Sequence, residues 1–231
     1  MSLSALASRM PSYIDEEAER YVRALGPEHD DLHAEMAAFA DEHDFPIIGP
    51  DAGGVLRSYA AATQAERVFE FGSGFGYSAY WFLKGMADDG RIVLTEIDEA
   101  ELAKGEEFLA SAGLADRATF ECGDAMEIAH DYAGPFDVAL IDHQKSRYAD
   151  AFDLIRDELA PGGVVIADNM LYGGHDFHDS LDYVTGDGDL PDDENARGIV
   201  AYLEAVRGAE GFHTSILPVG SGLAVTVRDV A

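Results

Sequence analysis

Lysine is the residue type that this sequence most clearly lacks. Only three of its 231 residues are lysines, against twelve arginines and 45 acidic residues, and the net charge at pH 7 is -30. The acidic residues are spread along the chain rather than gathered in a tail. Such a surface repels a phosphate backbone, so a nucleic acid is disfavoured as a partner. The composition is also typical of proteins that work in concentrated salt, and we predict a halophilic source.

Cysteine and long apolar segments are scarce as well. Cys122 is the single cysteine, which excludes an intramolecular disulfide, and we expect its thiol to be buried and inert. No apolar run approaches the roughly 18 residues of a membrane span. The opening residues MSLSALASRM lack the basic start and apolar stretch of a signal peptide. We therefore expect a cytoplasmic protein without a membrane partner.

The chain does contain a regular alternation of strand-like and helical segments. A chain of this length with 47% hydrophobic residues can bury one core. We predict a single domain over residues 1–231, with a helical extension over 1–45, which includes Ile14, and an α/β core over 46–231. Helices are predicted over residues 55–62, 78–86, 99–111 and 194–206, and strand-like runs are RVFEFG, RIVLTEI, ATFEC, FDVALID and GVVIAD.

The order of these segments predicts an α/β fold with a doubly wound sheet. Alternating strands and helices give parallel strands with helices on both faces. At the end of the chain, FHTSIL and LAVTVR flank the turn PVGSG, which predicts an antiparallel hairpin. The acidic stretch GDGDLPDDEN is predicted to be a mobile loop, and His175 and His178 are interpreted as ordinary residues of the longer loop around it.

A glycine-rich turn, EFGSGFGYS, joins the first predicted strand to a helix. Its glycines permit close approach of a ligand to the backbone, although a purely structural turn is an open alternative. The spacing Gly72, Gly74, Gly76 differs from the dinucleotide fingerprint, which requires a glycine at Tyr77. Glu96 ends the next strand, where a carboxylate can accept both hydroxyls of a ribose. Its alternative reading is one more surface acid.

Polar side chains also end two later strands. FDVALID ends at Asp142, and GVVIADN ends at Asp168 and Asn169. Because ligands gather at the carboxyl ends of parallel strands, we expect these residues to converge. Two carboxylates and an amide carbonyl suit a hard divalent cation such as Mg2+, with Ca2+ or Mn2+ as alternatives. A capping or turn role for Asp168 and Asn169 is the structural alternative.

Lys145 follows Asp142 by three residues, which places its amine over the same site. A partly buried lysine beside a cation can lose its proton near neutral pH, unlike an arginine. We therefore predict that Lys145 is a general base. A surface lysine that balances the charge of Asp142 is the alternative.

These motifs resemble one known family. IDHQKSRY resembles the catechol O-methyltransferase motif, and ELAPGGVVIADNMLYGG with LPVGSGLAVTVR is similar to the metal-dependent bacterial and caffeoyl-CoA-type O-methyltransferases of class I. The likeness extends from about Ile47 to the C-terminus. It implies a mainly parallel seven-stranded sheet with a C-terminal antiparallel hairpin. Gln144 stands where the catechol enzyme has a tryptophan.

The resemblance also implies site residues. S-adenosylmethionine is the implied cofactor and Lys145 the implied catalytic base. The implied metal ligands are Asp142, Asp168 and Asn169. The residues implied to contact the cofactor are Ile48, Glu70, Gly72, Ser73, Ser78, Glu96, Ala125 and Asp142.

The function that we predict is methyl transfer to a hydroxyl of a small aromatic, catechol-like acceptor. We also predict a homodimer, in which the N-terminal helices cover the second copy. Three alternatives stay open at this point. They are a tRNA nucleoside hydroxyl methyltransferase, an NAD-dependent oxidoreductase and a non-catalytic protein that binds the cofactor.

Overall fold

The computed structural model describes residues 16–230, so the predicted helical position Ile14 lies outside the described residues. One sheet carries seven strands in the order β3-β2-β1-β4-β5-β7-β6. The strands are β1 (Arg67–Phe71), β2 (Arg91–Glu96), β3 (Ala118–Cys122), β4 (Phe136–Ile141), β5 (Leu159–Ala167), β6 (Phe212–Leu217) and β7 (Leu223–Arg228).

Nine α-helices accompany the sheet in residues 16–230. They are α1 (Glu16–Leu25), α2 (Asp31–Glu42), α3 (Gly49–Ala62), α4 (Tyr77–Leu83), α5 (Glu99–Ser111), α6 (Ala125–Ile128), α7 (Tyr148–Ile155), α8 (His178–Thr185) and α9 (Glu194–Gly208). None of them combines the length and hydrophobicity that a bilayer crossing requires.

The strand pairing confirms the predicted fold class. Strands β1 to β5 pair in parallel, and β7 runs antiparallel to both β5 and β6. Apolar side chains on the two faces of the sheet form two buried clusters. The first includes Met36 and Ala40 of α2, so this helix packs on the same core as the strands. The predicted boundaries at residues 1–45 and 46–231 stay a prediction.

Three local expectations were wrong. Helix α3 begins at Gly49 rather than at residue 55, because Pro50 in its first turn supplies a helical φ in advance. Helix α8 occupies part of the segment predicted to be a loop, and Tyr183 in it donates a hydrogen bond to Glu204 of α9 at 2.7 Å. Cys122 is exposed, since β3 is one of the two edge strands of the sheet.

Helix α2 is fastened to α4 by a polar cluster around Asp30. The Asp30 carboxylate caps α2 by accepting a hydrogen bond from the N–H of His33 at 2.9 Å. It also accepts one from Tyr80 at 2.9 Å and forms an ion pair with Lys84. Although burial opposes the effect, these partners lower the pKa of Asp30. The His33 ring stacks on Trp81 with a centroid distance of 3.9 Å.

We predict that Asp30→Ala costs about 2 kcal/mol of unfolding free energy, because it removes a helix cap and two further partners of the carboxylate. Urea denaturation in constant KCl, followed by the fluorescence of Trp81, measures this loss. The matched control is Asp31→Ala, at an exposed neighbour in the first turn of α2. Equal losses in the two variants would show that the cluster does not hold α2 in place.

Candidate active site

A cavity of about 410 Å³ opens at the carboxyl edge of the parallel strands. Nine of the sequence-predicted site residues line it, and Glu70 and Ala125 do not. The predicted residues in the lining are Ile48, Gly72, Ser73, Ser78, Glu96, Asp142, Lys145, Asp168 and Asn169.

The glycine turn after β1 is shaped by contacts with its two neighbouring strands. Gly72 has a φ of +84°, and a Cβ there would lie 2.6 Å from the carbonyl oxygen of Asp142. Only glycine therefore allows the ends of β1 and β4 to approach this closely. On the other side, the Glu96 carboxylate accepts hydrogen bonds from the N–H groups of Gly74 at 2.9 Å and Ile97 at 2.8 Å. This fixes Glu96 at the cavity wall.

Glu70 lies beneath the turn and is fully buried. Neither of its carboxylate oxygens has a hydrogen-bond partner of good geometry among the described residues. Burial raises the pKa of Glu70 to about 8, and the nearby Ser78 hydroxyl only partly opposes this rise. The site thus holds a carboxyl group whose charge the protein itself does not compensate. Ala125 is also buried, at the start of α6, and lies outside the cavity lining.

Asp142 and Asp168 follow directly after β4 and β5, which are neighbours with Ile141 opposite Ala167. Burial raises the pKa of Asp168 well above its usual range, and the charge of Asp142 adds to the effect. Burial also raises the pKa of Asp142, and the charge of Lys145 opposes this rise. The Asp142 side chain is 31% exposed, on the side of the cavity. Lys145 therefore offsets only part of the cost of charging these two buried carboxylates.

Lys145 is held beside these carboxylates. Its Nζ lies 3.4 Å from Oδ1 of Asp142 and 3.3 Å from the carbonyl oxygen of His143, and 17% of its side chain is exposed. The Tyr148 hydroxyl donates to the same Asp142 oxygen at 3.3 Å. The His143 and Tyr148 rings stack with an interplanar angle of 7°. The amine is thus placed within the cavity and not in bulk solvent.

Asn169 has a left-handed backbone, with a φ of +66°. Its backbone carbonyl oxygen accepts a hydrogen bond from Nε2 of the buried His175 at 2.7 Å. A Cβ on Gly173 would lie 2.4 Å from the Asn169 side chain, so the loop folds closely around that residue. His175 thus has a structural contact within its loop, and its interpretation as an ordinary loop residue stays a prediction. His178 is exposed, and its Nδ1 lies 2.7 Å from Oδ1 of Asp176.

The oxygen atoms at these two strand ends fit a divalent cation. Asp168 Oδ1 and Asn169 Oδ1 are buried without hydrogen-bond partners in residues 16–230, and Asp142 adds a second carboxylate. Hard cations bind such oxygen sets. No group of three His, Cys, Asp or Glu side chains suited to a metal occurs among the described residues, so the third protein ligand here would have to be the amide.

Sequence reasoning missed several residues at the site. Two of them could have been found from the sequence, because His143 and Tyr148 belong to the stretch IDHQKSRY that contains Lys145. Gly74, Phe75 and Tyr77 belong to the glycine-rich turn EFGSGFGYS, and others are brought to the cavity by loop geometry that has no sequence signature. The further lining residues are Phe45, Pro46, Ile47, Gly74, Phe75, Tyr77, Tyr172, Gly173, Gly174 and Ser221.

The sequence is similar to those of known O-methyltransferases. A family model described as O-methyltransferase matches residues 30–228. A catechol O-methyltransferase of Niastella koreensis is 31% identical over 172 residues, covering 71% of this chain and 77% of the relative. A caffeoyl-CoA O-methyltransferase of Stellaria longipes is 25% identical, covering 69% of this chain and 70% of the relative.

Solved structures share the fold. The O-methyltransferase TomG from Streptomyces achromogenes, in complex with SAM, has a TM-score of 0.79 at 23% identity, covering 95% of this chain and 99% of its own. An O-methyltransferase from Bacillus cereus, in complex with SAH, has a TM-score of 0.78 at 22% identity, covering 92% of this chain and 97% of its own.

We predict that Glu70→Gln stabilises the ligand-free protein, and that the gain grows with pH. The unfolded chain releases the Glu70 proton near pH 4.5, whereas the folded protein keeps it until about pH 8. Stability is therefore lost as the pH rises through this window, and glutamine avoids the loss. Melting temperatures between pH 5 and pH 8 measure the effect. Exposed Glu127→Gln is the control, and a gain of equal size at both ends of the range would contradict the prediction.

Proposed function

We propose that this chain, which belongs to the O-methyltransferase family, transfers a methyl group from S-adenosylmethionine to a hydroxyl of a small catechol-like acceptor. The observation that carries the proposal is the meeting of Asp142, Asp168, Asn169 and Lys145 in one cavity with the glycine turn after β1. Two of the relatives named above have the same reaction type in their names. S-adenosylmethionine, when bound, supplies the methyl group on a sulfonium.

The glycine turn and its surroundings are suited to hold this cofactor. Glu70 and Ser78 would hold the amino-acid end beside Gly72 and Ser73, and Ile48 would pack next to it. The buried charge of Glu70 then gains a cationic partner, which would lower its raised pKa. Glu96 would accept the ribose hydroxyls, since its carboxylate is fixed at the cavity wall. Ala125 is proposed to lie near the adenine, at the start of α6.

Asp142, Asp168 and Asn169 would hold a divalent cation, and we propose Mg2+, with Mn2+ or Ca2+ able to replace it. The support is the pair of neighbouring carboxylates and the two buried oxygens that have no hydrogen-bond partner in the described part of the chain. The cation, when bound, neutralises the two carboxylates and makes an acceptor hydroxyl more acidic. Lys145 then removes the proton from the hydroxyl whose oxygen receives the methyl group. Asp142 and the His143 carbonyl keep the amine in place for this transfer.

Several wider predictions accompany this function. Tyr21, Val22 and Leu25 of α1 are exposed, which supports the proposed homodimer because an apolar helix face is suited to cover a second copy. The halophilic source rests on composition, and a cytoplasmic location stays a prediction. The acidic composition also disfavours tRNA as an acceptor.

We predict that Lys145→Ala lowers turnover by about 100-fold or more, the usual contribution of a positioned base. The affinity for S-adenosylhomocysteine, measured by calorimetry, should change little, because Lys145 contacts the acceptor side. Lys145→Arg keeps the positive charge but cannot act as a base, so it should be nearly as slow. Lys104→Ala, at an exposed ion pair, is the matched control. Full turnover in Lys145→Ala would rule out the assigned role.

Metal dependence is tested separately from turnover. Mn2+ binding, followed by electron paramagnetic resonance, should weaken at least tenfold in Asp168→Asn, a change of about 1.4 kcal/mol. The same variant should melt at a higher temperature than the parent in EDTA, because it removes a buried like charge. Asp192→Asn, at a fully exposed position, should change neither property. Unchanged Mn2+ affinity in Asp168→Asn would refute the proposed site.

A further inference from the structure

We infer that the acceptor carries no phosphate or other anionic tail. The charges around the cavity would then select neutral and cationic small diols over coenzyme A thioesters. The inference rests on the proposed methyl transfer and narrows its substrate class. It depends on where the chain places its few positive charges and on what occupies the helix N-termini around the cavity.

The cavity itself offers little positive charge. Among the described lining residues, Lys145 is the one cation, against the three acids Glu96, Asp142 and Asp168. Arg147 follows closely in sequence, but its guanidinium is bound to the Asp124 carboxylate at 2.7 Å. A coenzyme A tail carries several phosphate charges, and proteins usually bind such groups with arginine forks or free lysines.

Four arginines lie at the opposite edge of the sheet. Arg67 and Arg91 begin β1 and β2, and Arg117 precedes β3. Arg228 ends β7, which is antiparallel, so it lies near the start of β5. All four donate to backbone carbonyl oxygens, for example from Arg67 to Ala133 at 2.7 Å and from Arg91 to Asp116 at 2.8 Å. They tie loops at the edge remote from the cavity and are not placed to meet an acceptor.

Helix N-termini are the other common phosphate binders. Acidic side chains cap three of them here, those of α5, α6 and α9, whereas α3 and α4 have no side-chain cap. The helices that follow the parallel strands β2 and β3 begin at the cavity edge. Asp98 caps α5 by accepting from the N–H of Ala100, and Asp124 caps α6 by accepting from Met126. Asp193 caps α9 in the same way, by accepting from Ala196. A phosphate at any of these ends would have to displace a carboxylate and would meet its negative charge.

The test compares acceptors that share a 3,4-dihydroxyphenyl ring and differ in tail charge. They are dopamine with an ammonium, 4-methylcatechol without charge, 3,4-dihydroxybenzoate with a carboxylate, and caffeoyl-CoA. Each is assayed with S-adenosylmethionine and Mg2+, with product detection by mass spectrometry. We expect kcat/KM for the first two to agree within several-fold. The carboxylate should be about tenfold or more lower, with a gap that narrows in 2 M KCl, and caffeoyl-CoA should be near background.

Pro46 provides a matched pair of variants, because it is exposed and lines the cavity. Pro46→Lys adds a cation at the rim, whereas Pro46→Gln changes the same residue without charge. The ratio of kcat/KM for 3,4-dihydroxybenzoate to that for 4-methylcatechol should rise several-fold in Pro46→Lys relative to Pro46→Gln. An unchanged ratio would argue against an electrostatic cause.

The outcomes separate this inference from the proposed function. Methylation of caffeoyl-CoA at a kcat/KM equal to or above that of 4-methylcatechol overturns the inference but supports methyl transfer. If protein that binds S-adenosylhomocysteine methylates none of the four acceptors, the proposed function is overturned and the inference with it.

Discussion

The repulsion between two carboxylates at neighbouring strand ends is the constraint around which the site is arranged. Asp142 and Asp168 cannot move apart, because β4 and β5 are paired up to Ile141 and Ala167. Of the two carboxylates, Lys145 and the Tyr148 hydroxyl form hydrogen bonds with that of Asp142. Oδ1 of Asp168 has no hydrogen-bond partner within residues 16–230. Buried Glu70 adds a third uncompensated acid nearby. The ligand-free protein therefore keeps buried acids whose charged forms are costly, and a cation and a positively charged cofactor would stabilise those forms.

The elements that were predictable from the sequence are those whose patterns are local. Strand β3, helix α5 and both strands of the C-terminal hairpin have the predicted limits. Alternating residues in the strands, helical spacing of buried residues in α5 and a short glycine turn in the hairpin define them without help from distant residues. The start of α3 follows from Pro50 in its own first turn, whereas α8 depends on a more distant partner. In α8 the partner is Glu204 of α9, which Tyr183 reaches across 21 residues of sequence. Such a contact overrides the loop-like composition of the segment.

The site was predictable to the extent that sheet topology determines it. Strand-end position alone brought Asp142, Asp168 and Asn169 to one cavity, since ends of adjacent parallel strands must meet. His175 reaches Asn169 only because the loop turns back at Gly173, and no periodic pattern encodes that turn. Cys122 was misjudged for a related reason. An edge strand has a neighbour on one side only, and edge position follows from strand order, which the sequence does not state directly.

Charge is the property that joins composition to chemistry in this molecule. The acidic residues of this composition have different effects, because some lie at the surface and others are buried or cap helices. At the surface their repulsion is screened within a few ångströms in concentrated salt, but burial removes that screening around Asp168 and Glu70. Acids that cap α5, α6 and α9 also occupy the backbone amides that would otherwise attract phosphate. An acid-rich composition can thus restrict which acceptors approach a catalytic cavity, without any change in the residues that carry out the reaction.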